Sequence, residues 1–447
     1  FRTETLALDP DGLFETPARF TDAALDFRLR LDPFTVDIGQ IALMEGDSHF
    51  VGQGRVAAGA DGWRVAMDMG LNRIAPDRLL ALWPVAFARG TRAWLTENLQ
   101  SVDIYDVQAA LRAEAADPPR LSVSYKFRDG VVRYMPQLPP VEEASGYASV
   151  LNDAYTMVLE GGHVTAPSGG QLDMSGTLLQ IPDVTAKPSR ANFALRGQGP
   201  IPAALSLLDL PPFELMQKAG RSTEEATGTA LVEAALSFDI VKVIRPDDLD
   251  YSVRGTLTDV RSDTLVEGHV LTADRLTLRA DPGGIEIGGP ARVGQASVDA
   301  TWIKRFGDEG RDRSRVEGTV DLSQAFLDEF GIALPRDSVR GSAAGQFDID
   351  LVKGEPPLVR MISDLNRATL NVAALGWTKP AATTGRLEVE ATLGASPVVT
   401  RLDLDAPGLS AAGTVTLRGD GQLDEARFAR VQAGGWLMAP IILCSVL

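Results

Sequence analysis

Apolar and polar residues alternate with a period of two along most of this chain. Leu25, Phe27, Leu29 and Leu31 alternate with Asp26, Arg28 and Arg30. Leu121, Val123, Tyr125 and Phe127 repeat the pattern, as do Tyr155, Met157 and Leu159. It returns at Leu276/Leu278, Phe347/Ile349/Leu351, Leu387/Val389/Ala391/Leu393, Leu402/Leu404 and Val415/Leu417. Successive strand residues project to opposite faces, so each segment predicts a strand with one apolar and one polar face. A buried parallel sheet would read as solid apolar runs instead. The expected sheet is therefore mostly antiparallel. Asp129-Gly130, Asp281-Pro282-Gly283-Gly284 and Gly419-Asp420-Gly421 lie between alternating runs, where hairpin connections belong.

One stretch, Leu71 to Leu111, breaks the period. Leu79, Leu80 and Trp83, then Val85, Phe87, Ala88, Trp94, Leu95 and Leu99, recur at helical spacing. Pro76 suits a first helical turn, where its missing N–H costs nothing. Pro84 cannot continue that helix, so two short helices joined by a break are expected. The alternating strand Val102 to Asp106 follows. A similar order recurs at IPAALSLLDLPPFELMQKAG before Gly228 and at SQAFLDEFGIALP before Gly341. Strand, short helix, glycine, strand is thus a degenerate repeat of about 120 to 130 residues.

These patterns divide the chain into a β segment over 1–70 and a helix pair with strands over 71–145. A strand and short-helix repeat over 146–330 and a strand-rich segment over 331–447 follow, one continuous sheet being expected. The terminal WLMAPIILCSVL reads as a closing strand, because no stretch reaches the roughly 18 to 20 apolar residues of a membrane span.

Composition narrows the chemistry. The net charge of −17 argues against nucleic acid and against docking on anionic lipid through a basic patch. One cysteine, Cys444, and three histidines, His49, His163 and His269, leave no paired-cysteine framework, no HExxH and no expected metal or cofactor. Trp83 and Trp94 are expected to pack the helix pair on the sheet rather than bind a ligand. Arg92 reads as a surface arginine or a salt-bridge residue rather than a phosphate clamp. Glu142-Glu143 and Asp247-Asp248 are carboxylate pairs of the type glycoside hydrolysis needs, yet they fall in alternating strands or polar turns. The glycine-rich stretches precede proline or strand, not a helix N-terminus, so they are turns. No active site is legible, and the chain is not expected to be an enzyme.

Several segments resemble the AsmA-like family, in its YhdP branch. They are Leu82-Trp83-Pro84 with Thr91-Arg92-Ala93-Trp94-Leu95, and Tyr134-Met135-Pro136-Gln137-Leu138-Pro139-Pro140 with Gly146 and the strand around Met157. Others are Asp364-Leu365-Asn366 with Leu370, Leu375-Gly376-Trp377-Thr378-Lys379-Pro380, and Ala426-Arg427-Phe428 with Gly434-Gly435-Trp436. Their order and spacing fit across nearly the whole chain. The resemblance implies a bridge-like phospholipid carrier: a long, curled, taco-like sheet whose apolar groove passes lipid through the periplasm. It also implies an inner-membrane anchor upstream of this segment, contact with the outer membrane, and a role in outer-membrane lipid homeostasis. The opening at Phe1, with no signal peptide, fits that expectation.

The residues themselves leave three functions open. One-sided strands curl around lipid or close as a sandwich, so a lipid-conducting protein competes with an envelope scaffold that has closed cores. A carbohydrate-active enzyme is the third reading. About 20 strands at ~4.8 Å would extend on the order of 100 Å, and so long an exposed apolar lane needs an apolar occupant. Leu276, Leu278, Leu387, Val389, Leu402, Leu404, Val415 and Leu417 are the expected groove residues. The last six are expected to form one patch on three neighbouring strands.

Overall fold

The computed structural model describes residues 1–9, 14–82, 89–115, 117–135, 137–211, 213–241, 245, 248–308, 310–335, 337–394, 397–418 and 423–444. The alternation predicts the fold class correctly. The protein is mainly β: the described residues form 27 strands in one antiparallel sheet, a separate two-stranded ribbon and a few short helices. It divides into two compact units, residues 1–223 with 231–251, and residues 224–230 with 252–447.

The first unit opens with β1 (Arg2–Thr3), the ribbon β2 (Leu6–Leu8) and β3 (Ala18–Phe20), and then β4 (Asp22–Leu31). A meander follows through β5 (Phe34–Glu45), β6 (Ser48–Gly59) and β7 (Gly62–Ile74). The expected helix pair interrupts it as α1 (Pro76–Ala81) and α2 (Arg89–Asn98), with Pro76 in the first turn. The meander resumes with β8 (Leu99–Ala113), β9 (Arg120–Val132), β10 (Val141–Leu151) and β11 (Ala154–Thr165). Two short strands, β12 (Gln171–Asp173) and β13 (Leu178–Ile181), both bridge β11 to β14 (Arg190–Pro200). Helices α3 (Ile201–Leu208) and α4 (Leu215–Ala219) come next, where the apolar run after Pro200 predicts helix.

Asp129-Gly130 corrects an expectation. It is not a hairpin turn: β9 runs straight through it. Asp106, Asp129 and Glu143 take positive φ values of 52°, 53° and 53° on three adjacent strands, β8, β9 and β10. The pairing register shifts beside each of them. Each is a bulge, which leaves a residue unpaired and bends the strand. Asp tolerates the left-handed region, so Asp-Gly serves a bulge as readily as a turn.

β15 (Thr227–Asp239) is divided between the two units. The second unit continues through β16 (Asp250–Val266), β17 (His269–Asp281), β18 (Gly284–Val293), β19 (Ala296–Arg305) and β20 (Arg313–Ser323). The Asp281–Gly284 segment makes the predicted turn between β17 and β18, whereas Gly419 to Gly421 lies outside the described residues. Helix α5 (Gln324–Glu329) leads to β21 (Val339–Val352). β22 (Leu358–Ser363) pairs with β21 and with β25 (Arg386–Thr392). Between β22 and β25 the chain makes an arch, β23 (Ala368–Val372) and β24 (Trp377–Lys379), whose β23 pairs with the start of β21. β26 (Val398–Ala406), β27 (Leu409–Leu417), β28 (Leu423–Ala433) and β29 (Leu437–Cys444) complete the unit. β29 is the closing strand expected from WLMAPIILCSVL.

Strand direction alternates, so every second connection falls on the same edge of the sheet. In the first unit both helical insertions, after β7 and after β14, fall on one such edge. In the second unit α5 and the arch, after β20 and β22, likewise share an edge. Most of that unit's buried apolar side chains lie there: Val293, Ala296, Val320, Ala343, Leu409 and Val431 among them. Trp377, on the arch, packs with Ala406, Leu409, Val431 and Ala433. The dry core is therefore a strip under the caps, not a layer behind the whole sheet.

Candidate functional site: an apolar lane on one face of the sheet

The register of the second unit aligns its inward residues strand after strand. Leu278 lies opposite Ile287, Ile287 opposite Trp302, and Trp302 opposite Val316. The row continues from Val316 to Ile349, Val359 and Ala391, and then to Val399, Val415 and Ala426. Ten strands thus contribute one apolar residue each. At ~4.8 Å per strand the row runs roughly 40 Å. A second row lies beside it, Phe347–Met361–Val389–Leu402, continuing through Gly413 to Phe428. A Cβ at Gly413 would come within 2.5 Å of the Arg427 carbonyl oxygen and 2.8 Å of the Phe428 ring, so glycine keeps the lane floor low there.

The lane is half-open. Of the ten residues in the first row only Ala391 and Ala426 are buried, and the larger ones remain partly accessible. A closed sandwich would bury Leu, Ile and Trp completely. Among the described residues the largest fully buried side chains are Lys379 and Val164.

The opposite face is polar. Thr301, Glu317, Asp348, Arg360, Glu390 and Arg401 oppose one another in that order. Asp348 sits between Arg315 at 3.4 Å and Arg360 at 3.8 Å, and Arg401 reaches Glu388 at 3.1 Å. The arginines of these pairs are about half exposed while the carboxylates are more sheltered, so each pair adds modest stability, and together they keep this face polar.

The first unit carries a lane of its own. Its row starts at Leu25–Ile41–Gly52–Met69–Ala109 and continues through Val123, Val150, Tyr155 and Ile181. None of these residues is buried. Tyr125, two residues from Val123, faces Ala148, which in turn faces Met157. The hydroxyls of Tyr125 and Tyr155 meet at 3.1 Å across β10. Loss of solvation raises both phenols above their ordinary pKa, Tyr155 well above it.

The expected groove residues fall as follows. Leu387 opposes Leu404 and Val389 opposes Leu402, the side-by-side arrangement the sequence predicts. Val415 does not join them directly: a bulge in the β26–β27 pairing sets it opposite Val399, and Leu417 opposes Leu423. The six therefore lie along an offset diagonal. Leu276 faces Leu257 and Leu278 faces Gly255, at the start of the same lane. Leu404 differs from the others in packing against the Trp377 cluster. Trp83 lies outside the described residues, and Trp94 lies on α2 with its side chain outside them. Of the two readings of Arg92, surface arginine or salt bridge, the structure shows an ion pair with Glu15. The Tyr125–Tyr155 contact was invisible to sequence reasoning, because it needs the register of three strands.

His163 lies 3.4 Å from Glu142 and 3.8 Å from Glu143, opposite Asp173. Among the described residues no group of three or more His, Cys, Asp or Glu side chains is placed to hold a metal ion. No described helix is long and apolar enough to cross a membrane. No family model matches the chain, and no curated protein or solved structure is significantly similar to it.

Proposed function

We propose that this protein carries phospholipid through the periplasm between the inner and outer membranes, without catalysing a reaction, as a bridge-like carrier of the AsmA-like type. The observation that carries this reading is the lane itself: apolar in register over ten strands, yet left half-open by the fold. Acyl chains suit such a surface because each methylene removed from water contributes about 0.8 kcal/mol and demands no specific polar contact. The charged opposite face stays hydrated, so the sheet separates a dry side from a wet one. The two membranes, the anchor upstream of this segment and the role in outer-membrane lipid homeostasis come from the family resemblance.

The test is lipid occupancy of the purified protein, read by native mass spectrometry and by extraction. The wild-type protein is expected to retain phospholipid under mild conditions. Val389→Asp places a charge on the lane floor between Met361 and Leu402, where an acyl chain would have to desolvate it. That variant is expected to fold normally and to lose most of its lipid, by about tenfold. A wild-type protein that holds no lipid would favour the envelope scaffold instead. Hydrolysis of a glycan panel, abolished by carboxylate substitution, would favour an enzyme.

A further inference from the structure

The Tyr125–Tyr155 pair is the polar interruption of the first unit's lane, and its hydrogen bonding is incomplete. Two phenols carry two donor hydrogens, and their mutual bond uses one. Among the described residues no other partner is recorded for either hydroxyl. One O–H is therefore left to donate, together with oxygen lone pairs; Tyr125 stands inside β9, and Tyr155 is the second residue of β11, next to its hairpin with β10. Val123, Ala148, Val150, Met157 and Ile181 surround it along and across the strands.

That setting selects a particular acceptor. A phosphate or carboxylate placed among these side chains would lose its hydration with no cation to compensate it. A pure hydrocarbon would leave the spare hydroxyl hydrogen unpaired, which a buried donor resists. A neutral carbonyl flanked by alkyl chains meets both conditions. We propose that Tyr125 and Tyr155 form a hydrogen-bonding station for the carboxylic ester carbonyl of an acyl lipid, so that the lane distinguishes esterified lipid from plain hydrocarbon or ether lipid. The inference rests on the lipid-carrier reading and narrows it to ester-linked lipids.

The test compares two probes with one headgroup: a diester phosphatidylcholine and its diether analogue, which lacks both carbonyls. Each is loaded from vesicles, and protein-bound lipid is quantified after separation. The wild-type protein is expected to retain the diester about 3- to 10-fold better, the worth of one hydrogen bond. The double variant Tyr125→Phe/Tyr155→Phe keeps the ring packing and is expected to bind both probes equally, at the diether level. Equal retention of the two probes by the wild-type protein would overturn the station while leaving the carrier reading standing. A preference that survives in the double variant would also overturn it, by placing the ester contact elsewhere. Failure to retain either probe would strike at the carrier reading itself and remove the station with it.

Discussion

The indole N–H of Trp377 donates to the carbonyl oxygen of Pro407 at 2.9 Å, tying the arch of β23 and β24 to the turn between β26 and β27. Trp377 is 9% exposed and packs on Ala406, Leu409, Val431 and Ala433. This single side chain closes the capped edge over β26, β27 and β28. Trp377→Ala is expected to cost about 3 to 5 kcal/mol, the range for emptying a buried aromatic site. Trp377→Phe, which keeps most of the packing, should cost nearer 1 kcal/mol. Chemical denaturation of the two variants checks the contrast; equal losses would mean that packing contributes little there.

Leu404 and Val389 lie in adjacent strands on the same face, yet they should respond differently to a charge. Leu404 packs against the buried Trp377 cluster, whereas Val389 is half-buried on the open lane. Leu404→Asp is expected to destabilise the unit by about 3 kcal/mol or more, because its carboxylate enters the dry strip. Val389→Asp should cost less than about 1 kcal/mol, because lane water can hydrate it. Parallel melting curves decide the matter. Severe unfolding of both variants would mean that the lane is closed.

Lys379 is fully buried, and its ammonium donates to the Ala368 carbonyl at 2.9 Å and the Pro380 carbonyl at 3.1 Å. Burial pulls its pKa below the ordinary 10.5, while nearby Asp364 opposes that shift only in part. Between the lowered folded value and 10.5 the unfolded chain holds more protons, so this residue's contribution to stability improves as pH rises through that window. The stability of wild type relative to Lys379→Met should therefore increase from neutral pH toward 10. A flat difference would show that the amine is solvated in the folded protein.

Glu329, at the end of α5, accepts from the Gln295 backbone N–H at 2.9 Å and pairs with His269 Nδ1 at 2.8 Å. The backbone bond, followed by His269, holds its carboxyl below the usual 4.5. The stability this provides is complete above 4.5 and is lost as pH falls through the lowered value. Glu329→Gln should melt closer to wild type at pH 3 than at pH 6. A gap that stays constant with pH would assign Glu329 a purely steric role.

Much of this protein was determined by its sequence alone. Period-two alternation makes one-sided strands wherever it occurs, so Leu387 to Leu393 and Leu121 to Phe127 had to become antiparallel strands with a dry face. Pro76, and the apolar run after Pro200, likewise fixed where helices interrupt the sheet. Tertiary structure decided what those local rules leave free. A side chain's face follows from its own strand, but its neighbour depends on register, and one bulge moves every pair beyond it. The register sets Leu402 opposite Gly413, and the β26–β27 bulge then sends Val415 to Val399 instead of Thr400, while the Asp129-Gly130 pair becomes a bulge where local chemistry allows a turn equally well. The same alternation also serves a closed core and an open lane. Only the placement of the caps, along one edge rather than across the face, left Leu278, Trp302 and Val399 half-exposed, and only the register of β9, β10 and β11 brought the hydroxyls of Tyr125 and Tyr155 together.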